Sequence, residues 1–293
     1  MTVLLDRSTA QAAPTQRLTP TQWASWEVDG YIVVPQVLEP AEVDRAASAI
    51  WDFLEMTPDE PSVWYDDDRR RRSAIDRRGI VPLYHAQALW DCRQSPSIYA
   101  VFAELIGRRD LLVSIDRVNM NPPEAPGWSY EGFVHWDIDV SRRPLPDQLQ
   151  GLVSLSDTPE GAGGFQCVAG FHAIIAEWLD AQGKGYCSRF PDISDFRLTD
   201  VPVRAGDLLV WRGALPHGNT ANRGAAPRLA QYITMTPADQ FSPEDIAERI
   251  RSFREGVAPR SPNGAALPAS PKANALDVEL SPLGRRLLGL EPW

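Results

Sequence analysis

Apolar residues recur at helical spacing in the first part of the chain and in short alternating runs through its middle. Thr19-Pro20 offers a helix cap and a first-turn proline, and Trp23, Trp26 and Val28 supply an apolar face that Asp29-Gly30 interrupts. Tyr31 to Val34 reads as a strand. Glu39-Pro40 then opens a second helix to about Met56, with Val43, Ala46, Ala47, Ile50, Trp51 and Leu54 at helical spacing. From Leu111 the pattern changes to β-type runs: Leu111 to Met120, Phe133 to Val140, Gly151 to Leu155, Phe165 to Val168, Leu208 to Trp211 and Leu229 to Met235. Each is bounded by Gly, Pro, Asp or Asn, which favours a β-sandwich or barrel with flanking helices. Helical text returns at Ala173 to Asp180 and from Ser242 to about Glu255, and there is no internal repeat.

Nothing in the composition breaks the chain in two, so residues 18–293 are expected to form one domain behind a disordered tail at 1–17. Residues 57–90 differ in character, with Pro58 and Pro61 followed by Asp66 to Asp68 and Arg69 to Arg72. Acids ahead of bases suit a solvated helix whose macrodipole they complement; the other reading is a lid. A Pro/Ala/Gly/Ser-rich stretch at 256–275 is expected to be a flexible loop.

Charge and cysteine content narrow the function classes. A formal charge of -10 on 293 residues argues against a general nucleic-acid binder, which needs a basic surface to displace counterions. With 43% hydrophobic residues the chain can bury a core, yet no window reaches the roughly 18 apolar residues of a membrane span. The N-terminus lacks the basic flank and long apolar segment of a secretory signal. Cys92, Cys167 and Cys187 are odd in number and have no CxxC spacing, so neither a disulfide framework nor a thiolate zinc site is indicated, and a reducing cytoplasm fits best.

The candidate chemistry lies in two places. In Phe133 to Asp139, read as a strand, His135 and Asp137 face the same way with Cβ atoms about 7 Å apart, close enough to grip one ion. Asp139 shares that face but lies roughly 13 Å from His135, so Asp137 is the better ligand. His217 arrives 82 residues after His135, behind the run Leu208 to Trp211, and completes a two-His, one-carboxylate set suited to Fe(II) with open positions. Arg228 follows eleven residues later, and its planar guanidinium can pair with a carboxylate in bidentate fashion.

Together, His135-Trp136-Asp137, Ala205-Gly206-Asp207-Leu-Leu-Val-Trp211, His217-Gly218-Asn219 and Arg228 resemble the phytanoyl-CoA dioxygenase family. The opening Leu18 to Pro35 and the segment Gly163 to His172 extend the resemblance over nearly the whole chain, although Ala169 and Phe171 replace the family's usual Pro and Ser. The resemblance implies a double-stranded β-helix (jelly-roll) core and a non-haem oxygenase that uses Fe(II), 2-oxoglutarate and dioxygen. Such an enzyme oxidises a small molecule, most simply by hydroxylation, and releases succinate and CO2. Carried over by position, His135, Asp137 and His217 bind iron, Arg228 holds the far carboxylate of 2-oxoglutarate, and Asn219 adds a contact. The run Ser114 to Pro123 is similar to one in ectoine-hydroxylase-like relatives that assigns Asn119 to 2-oxoglutarate and Arg117 to substrate.

Two rival classes remain at this level: a catalytically inert jelly-roll that binds a metal or small ligand, and a cupin-like isomerase without co-substrate. Neither needs a cation at the offset of Arg228. A halogenase would lack the carboxylate that Asp137 provides, whereas desaturation, epimerisation and ring formation use the same ligands. An inward Arg117 needs a partner, either an internal acid such as Asp139 or an anionic group on the substrate. His172 matches a packing histidine, His85 has no metal-like spacing, and Gly163-Gly164 reads as a turn rather than a phosphate loop.

Overall fold

Leu208 and Val210 belong to one apolar cluster, while their neighbours Leu209 and Trp211 belong to another. This is the period-two signature of a strand buried on both faces, and it sets the layering of the molecule. The computed structural model describes residues 17–130, 132–182, 189–260 and 277–293. In chain order its elements are α1 (Pro20–Val28), β1 (Tyr31–Val34), α2 (Pro40–Leu54), α3 (Asp67–Ser73), β2 (Ile80–Val81), α4 (Gln87–Arg93), α5 (Pro96–Ile106), β3 (Leu111–Val113), β4 (Val118–Asn121) and β5 (Leu149–Ser154). They continue with β6 (Phe165–Cys167), α6 (Ile175–Ala181), β7 (Thr199–Val201), β8 (Leu208–Arg212), β9 (His217–Asn219), β10 (Arg228–Tyr232), β11 (Met235–Pro237), α7 (Pro243–Glu255) and α8 (Pro282–Leu288).

A six-stranded sheet runs β1-β8-β5-β10-β4-β2, a three-stranded sheet runs β7-β6-β9, and β11 pairs with β3. The pairings are antiparallel. One face of the large sheet, with Leu208, Val210, Val153, Leu229 and Met120, packs on Ile50 and Leu54 of α2, Trp90 of α4 and Phe102 of α5. The other face, with Leu152, Leu209, Trp211 and Ala230, packs against Phe165, Cys167 and Val201 of the small sheet. The result is a jelly-roll core with helices banked against one side.

Local chemistry explains where helices begin. Thr19 and Gln22 form a capping box ahead of α1, and Ser242 and Asp245 do the same for α7. In α3, Asp66 caps the first turn while Arg70 to Arg72 occupy the last, as its charge order predicts. The stretch 57–90 is tied into the sheet by β2, whose Ile80 and Val81 pair with Asn119 and Val118. The final helix, α8, was not foreseen.

Two expected strands are shorter than their apolar pattern suggests. Leu111 to Met120 is split into β3 and β4, and Phe133 to Val140 contributes a single bridge, His135 to His217. Turn chemistry explains the second case: the Asp139 carboxylate accepts hydrogen bonds from the Ser141 amide at 3.0 Å and its hydroxyl at 2.6 Å, an alternative to a sheet ladder. Among the described residues no helix is long and apolar enough to cross a membrane. The expected tail, except for Arg17, and most of the expected 256–275 loop lie outside the described residues.

Candidate metal centre

The backbones of His135 and His217 exchange two hydrogen bonds, with His135 N to His217 O at 2.9 Å and the reverse at 3.0 Å. That pair places two imidazoles side by side, their ring centroids 4.8 Å apart. The approach requires glycine after the second histidine, because a Cβ at Gly218 would collide with the Phe133 carbonyl oxygen. Asp137, two residues on from His135, turns its carboxylate to both rings, with Oδ1 3.4 Å from His135 Nε2 and Oδ2 3.8 Å from His217 Nε2. The three donor atoms lie within 4.8 Å of one another. Asp139 is not part of this group, since its carboxylate faces Ser141.

The surroundings prepare these donors. His217 Nδ1–H donates to the Leu215 carbonyl at 2.9 Å, which leaves the lone pair on Nε2, the nitrogen turned to Asp137. Phe165 stacks on the His217 ring with centroids 5.8 Å apart. Asp137 accepts a hydrogen bond from Gln150 Nε2 at 2.9 Å, and Gln150 Oε1 accepts one from Trp211 Nε1 at 3.1 Å. Arg189 Nη2 also reaches Asp137, at 3.4 Å. Burial resists ionisation of Asp137, but its hydrogen bonds and charge interactions with His135 and His217 outweigh that and hold the carboxyl well below the usual range. One carboxylate and two imidazoles with converging free donors fit a divalent metal ion with positions to spare.

A cavity of about 200 Å³ opens over the triad, lined also by Arg78, Arg117, Tyr130, Phe133, Asn219 and Tyr232. Asn219 lies on β9 two residues from His217, so alternation turns both to the same side. Arg117 reaches the cavity as its position ahead of β4 predicts, but its partner is the adjacent Asp116, with Nε to Oδ1 at 3.0 Å. Adjacency decides that pairing over the remote Asp139.

Arg228 and Asn119 are neighbours on β10 and β4 and do not line the cavity. Arg228 is 3% exposed, and among the described residues it has no ion pair; its hydrogen bond goes to Asn119. His85 and His172 are not part of the donor group formed by His135, Asp137 and His217. His85 bonds Val257 O at 3.0 Å, and His172 bonds Glu27 O at 3.2 Å, ties that suit packing roles. Gly163 adopts φ +77°, as a turn requires. Gln150, Arg189, Tyr130 and Tyr232 escaped sequence reasoning, since their convergence depends on strand order and loop path.

Comparison with known proteins gives a consistent picture. The sequence profile of the family described as phytanoyl-CoA dioxygenase (PhyH) matches residues 26–230. A putative phytanoyl-CoA dioxygenase of Dictyostelium discoideum is 26% identical, covering 71% of this chain and 72% of its own. Ava biosynthesis cluster protein O of Aspergillus versicolor is 23% identical over 60% of this chain and 63% of that protein. Among solved structures, a hypothetical protein of Escherichia coli, JW0805, superposes with a TM-score of 0.67 at 17% identity, over 94% of this chain and 82% of that one. The epimerase SnoN, crystallised with Fe3+, alpha-ketoglutarate and nogalamycin RO, superposes with a TM-score of 0.53 at 19% identity, over 74% of this chain and 83% of that one. At such identities these structures speak to the fold.

Proposed function

Because the chain belongs to the phytanoyl-CoA dioxygenase family, we propose that it is an Fe(II)- and 2-oxoglutarate-dependent oxygenase that hydroxylates a small molecule. The observation that carries this reading is the convergence of His135, Asp137 and His217 within 4.8 Å. In this reading they hold Fe(II) on one side and leave the cavity side open. Bound metal and 2-oxoglutarate supply the oxidising power, with dioxygen consumed and succinate and CO2 released.

The chain's own residues supply placement and shielding. Gln150 steadies Asp137, and the Leu215 carbonyl fixes the tautomer of His217. Arg228 stands outside the cavity lining but is buried without a carboxylate among the described residues, and by the family's pattern it is the anchor for the far carboxylate of 2-oxoglutarate, with Asn119 holding its guanidinium and Asn219 adding a contact from the cavity wall. Tyr130, Phe133 and Tyr232 line the cavity and limit water at the reacting centre. Arg117 faces the same space and contacts the substrate.

SnoN is named an epimerase and SnoK, a second solved structure of similar fold, a carbocyclase. Hydroxylation is proposed here as the simplest outcome of the same donor set. Buried free thiols at Cys92 and Cys167 suit a reducing cytoplasm. Anaerobic titration of the protein with Fe(II) and then 2-oxoglutarate tests the assignment: a visible charge-transfer band that His217→Ala abolishes is expected. No band in a folded, iron-loaded protein favours an inert or cupin-like jelly-roll instead. Succinate release across a panel of candidate substrates, with products identified by mass, then separates hydroxylation from the other outcomes.

A further inference from the structure

A second cleft, of about 430 Å³, lies between α3 and the turn at Pro126–Trp128, and no described residue lines both it and the metal cavity. Its walls carry Arg70, Arg71 and Arg77 against one carboxylate, Asp67, together with Tyr65 and Trp128. Arg70 is 5% exposed, yet no carboxylate of the described residues comes within ion-pair distance of it. Its Nη1 and Nη2 donate to the Trp64 and Asp76 carbonyls at 3.0 and 3.1 Å. Its guanidinium carbon stands 3.7 Å from the centre of the Trp128 ring. Burial pushes its pKa down to about 10, opposed by the charges of Asp67 and Asp76, so the group stays charged at neutral pH with no carboxylate of the described residues in direct contact.

Arg77 forms no hydrogen bond or ion pair among the described residues, although its guanidinium carbon lies 5.9 Å from the same ring. Arg71 is paired with Asp68 at 2.7 Å. Stability alone gives little reason to gather these three cations, since like charges at short range repel and a buried charge is costly when unpaired. An arriving anion removes both costs.

We propose that this cleft binds the phosphate group of a small molecule, with Arg70 as the fixed, desolvated donor and Arg77 and Arg71 closing on the exposed oxygens. Guanidinium groups match phosphate oxygens in forked pairs, and several cations on one centre favour a doubly charged group over a single carboxylate. The Tyr65 and Trp128 rings, 6.4 Å apart, offer an apolar wall for whatever carries the phosphate.

Calorimetric titration of the metal-free protein with inorganic phosphate, and separately with phenyl phosphate, tests the proposal without reference to the metal centre. Saturable binding is expected at millimolar concentration or below, each probe displacing the other, with sodium chloride at matched ionic strength having no such effect. Tighter binding of phenyl phosphate identifies a phosphomonoester as the natural occupant, and equal binding identifies free phosphate. Arg77→Ser is expected to weaken binding about tenfold, the loss of one charged hydrogen bond, with an unchanged melting temperature. Absence of saturable binding, or binding that Arg77→Ser leaves intact, overturns the proposal. Arg70→Met is a second variant, expected to remove binding, and thermal melting separates that loss from unfolding.

Discussion

Arg228 and Asn119 meet across two adjacent strands, β10 and β4, where Arg228 Nη1 donates to Asn119 Oδ1 at 2.8 Å. Asn119 in turn donates to the Arg78 carbonyl at 3.0 Å, so the guanidinium is braced through the amide to the segment leading into β2. The arrangement orients a buried cation without neutralising it. Arg228→Met is expected to weaken 2-oxoglutarate binding by about 2–5 kcal/mol, or roughly thirtyfold or more, because a charged partner is lost while its mate stays buried. Asn119→Ala should act in the same direction and less strongly. Anaerobic titration of 2-oxoglutarate into iron-loaded protein measures both, and unchanged affinity in Arg228→Met moves the anchor elsewhere.

Gln150 links Trp211 to Asp137, accepting at its oxygen and donating from its nitrogen. Gln150→Leu frees Asp137 to rotate, and a 10- to 100-fold loss of metal affinity is expected, the usual scale for removing a group that holds a ligand in place. The variant should remain folded, since Gln150 stands at the cavity wall and not in either apolar cluster. Direct titration with Fe(II) under argon, alongside a melting curve, makes the comparison; equal affinity would show that the relay is idle.

Arg117 lines the cavity paired to Asp116, and because one neighbouring acid meets only part of a guanidinium's five donors, the rest stay available to a ligand in the cavity. A substrate with an anionic group near its reacting carbon is therefore expected. Arg117→Met should raise the substrate KM about tenfold or more and leave the 2-oxoglutarate requirement unchanged. Steady-state kinetics on an identified substrate decides the matter, and a preferred substrate without negative charge would refute the role.

His85 predicts a pH dependence of the fold itself. Its Nδ1 accepts from Trp90 Nε1 at 3.3 Å while Nε2 faces the Val257 carbonyl at 3.0 Å, a pattern met by the neutral ring alone. Burial, aided by the Arg93 charge and opposed by the Val257 carbonyl, pushes its pKa down to about 4 from the ordinary 6.5. The unfolded chain therefore binds this proton first, and stability falls as pH drops from about 6.5 to about 4, by on the order of 3 kcal/mol. Urea unfolding across that window should show a shallower pH slope in His85→Gln than in the unaltered protein, and parallel slopes would exclude the histidine as the cause.

How far the chain could be read in advance depended on how local each signal was. The triad was legible because His135-Trp136-Asp137, His217-Gly218-Asn219 and Arg228 follow one another as in the phytanoyl-CoA dioxygenase family, whereas the two-residue spacing of His135 and Asp137 alone carries little weight. Gln150 was not, because its contact with Trp211 needs β5 to lie beside β8 and its contact with Asp137 needs the 133–140 segment to lie across from β5. For Arg117 an internal acid such as Asp139 or an anionic substrate group stood as alternatives, and the acid that meets it is the adjacent Asp116, since sheet alternation says nothing of a neighbour that folds back. The helix α8 has only seven residues, and its burial of Leu287 and Leu288 comes from packing near β3. Phe133 to Val140 has strand-like alternation, yet the Asp139–Ser141 turn overrides it.

Among the described residues, the segment that carries His135 and Asp137 joins β9 through one reciprocal pair of backbone bonds, the His135–His217 bridge, and is otherwise tied by Trp136 N to the Arg189 carbonyl at 3.0 Å. In a regular ladder each bond is guarded by the next, whereas an isolated bridge has no ladder on either side and opens more readily. A metal held by both histidines and Asp137 would lock that clasp from the side-chain end, and only the closed form offers all three donors. Metal concentration then becomes a thermodynamic handle on local backbone opening. The amides of His135 and His217 should exchange with deuterium far more slowly in loaded protein, while those of β5 and β8 exchange at the same slow rate with or without it.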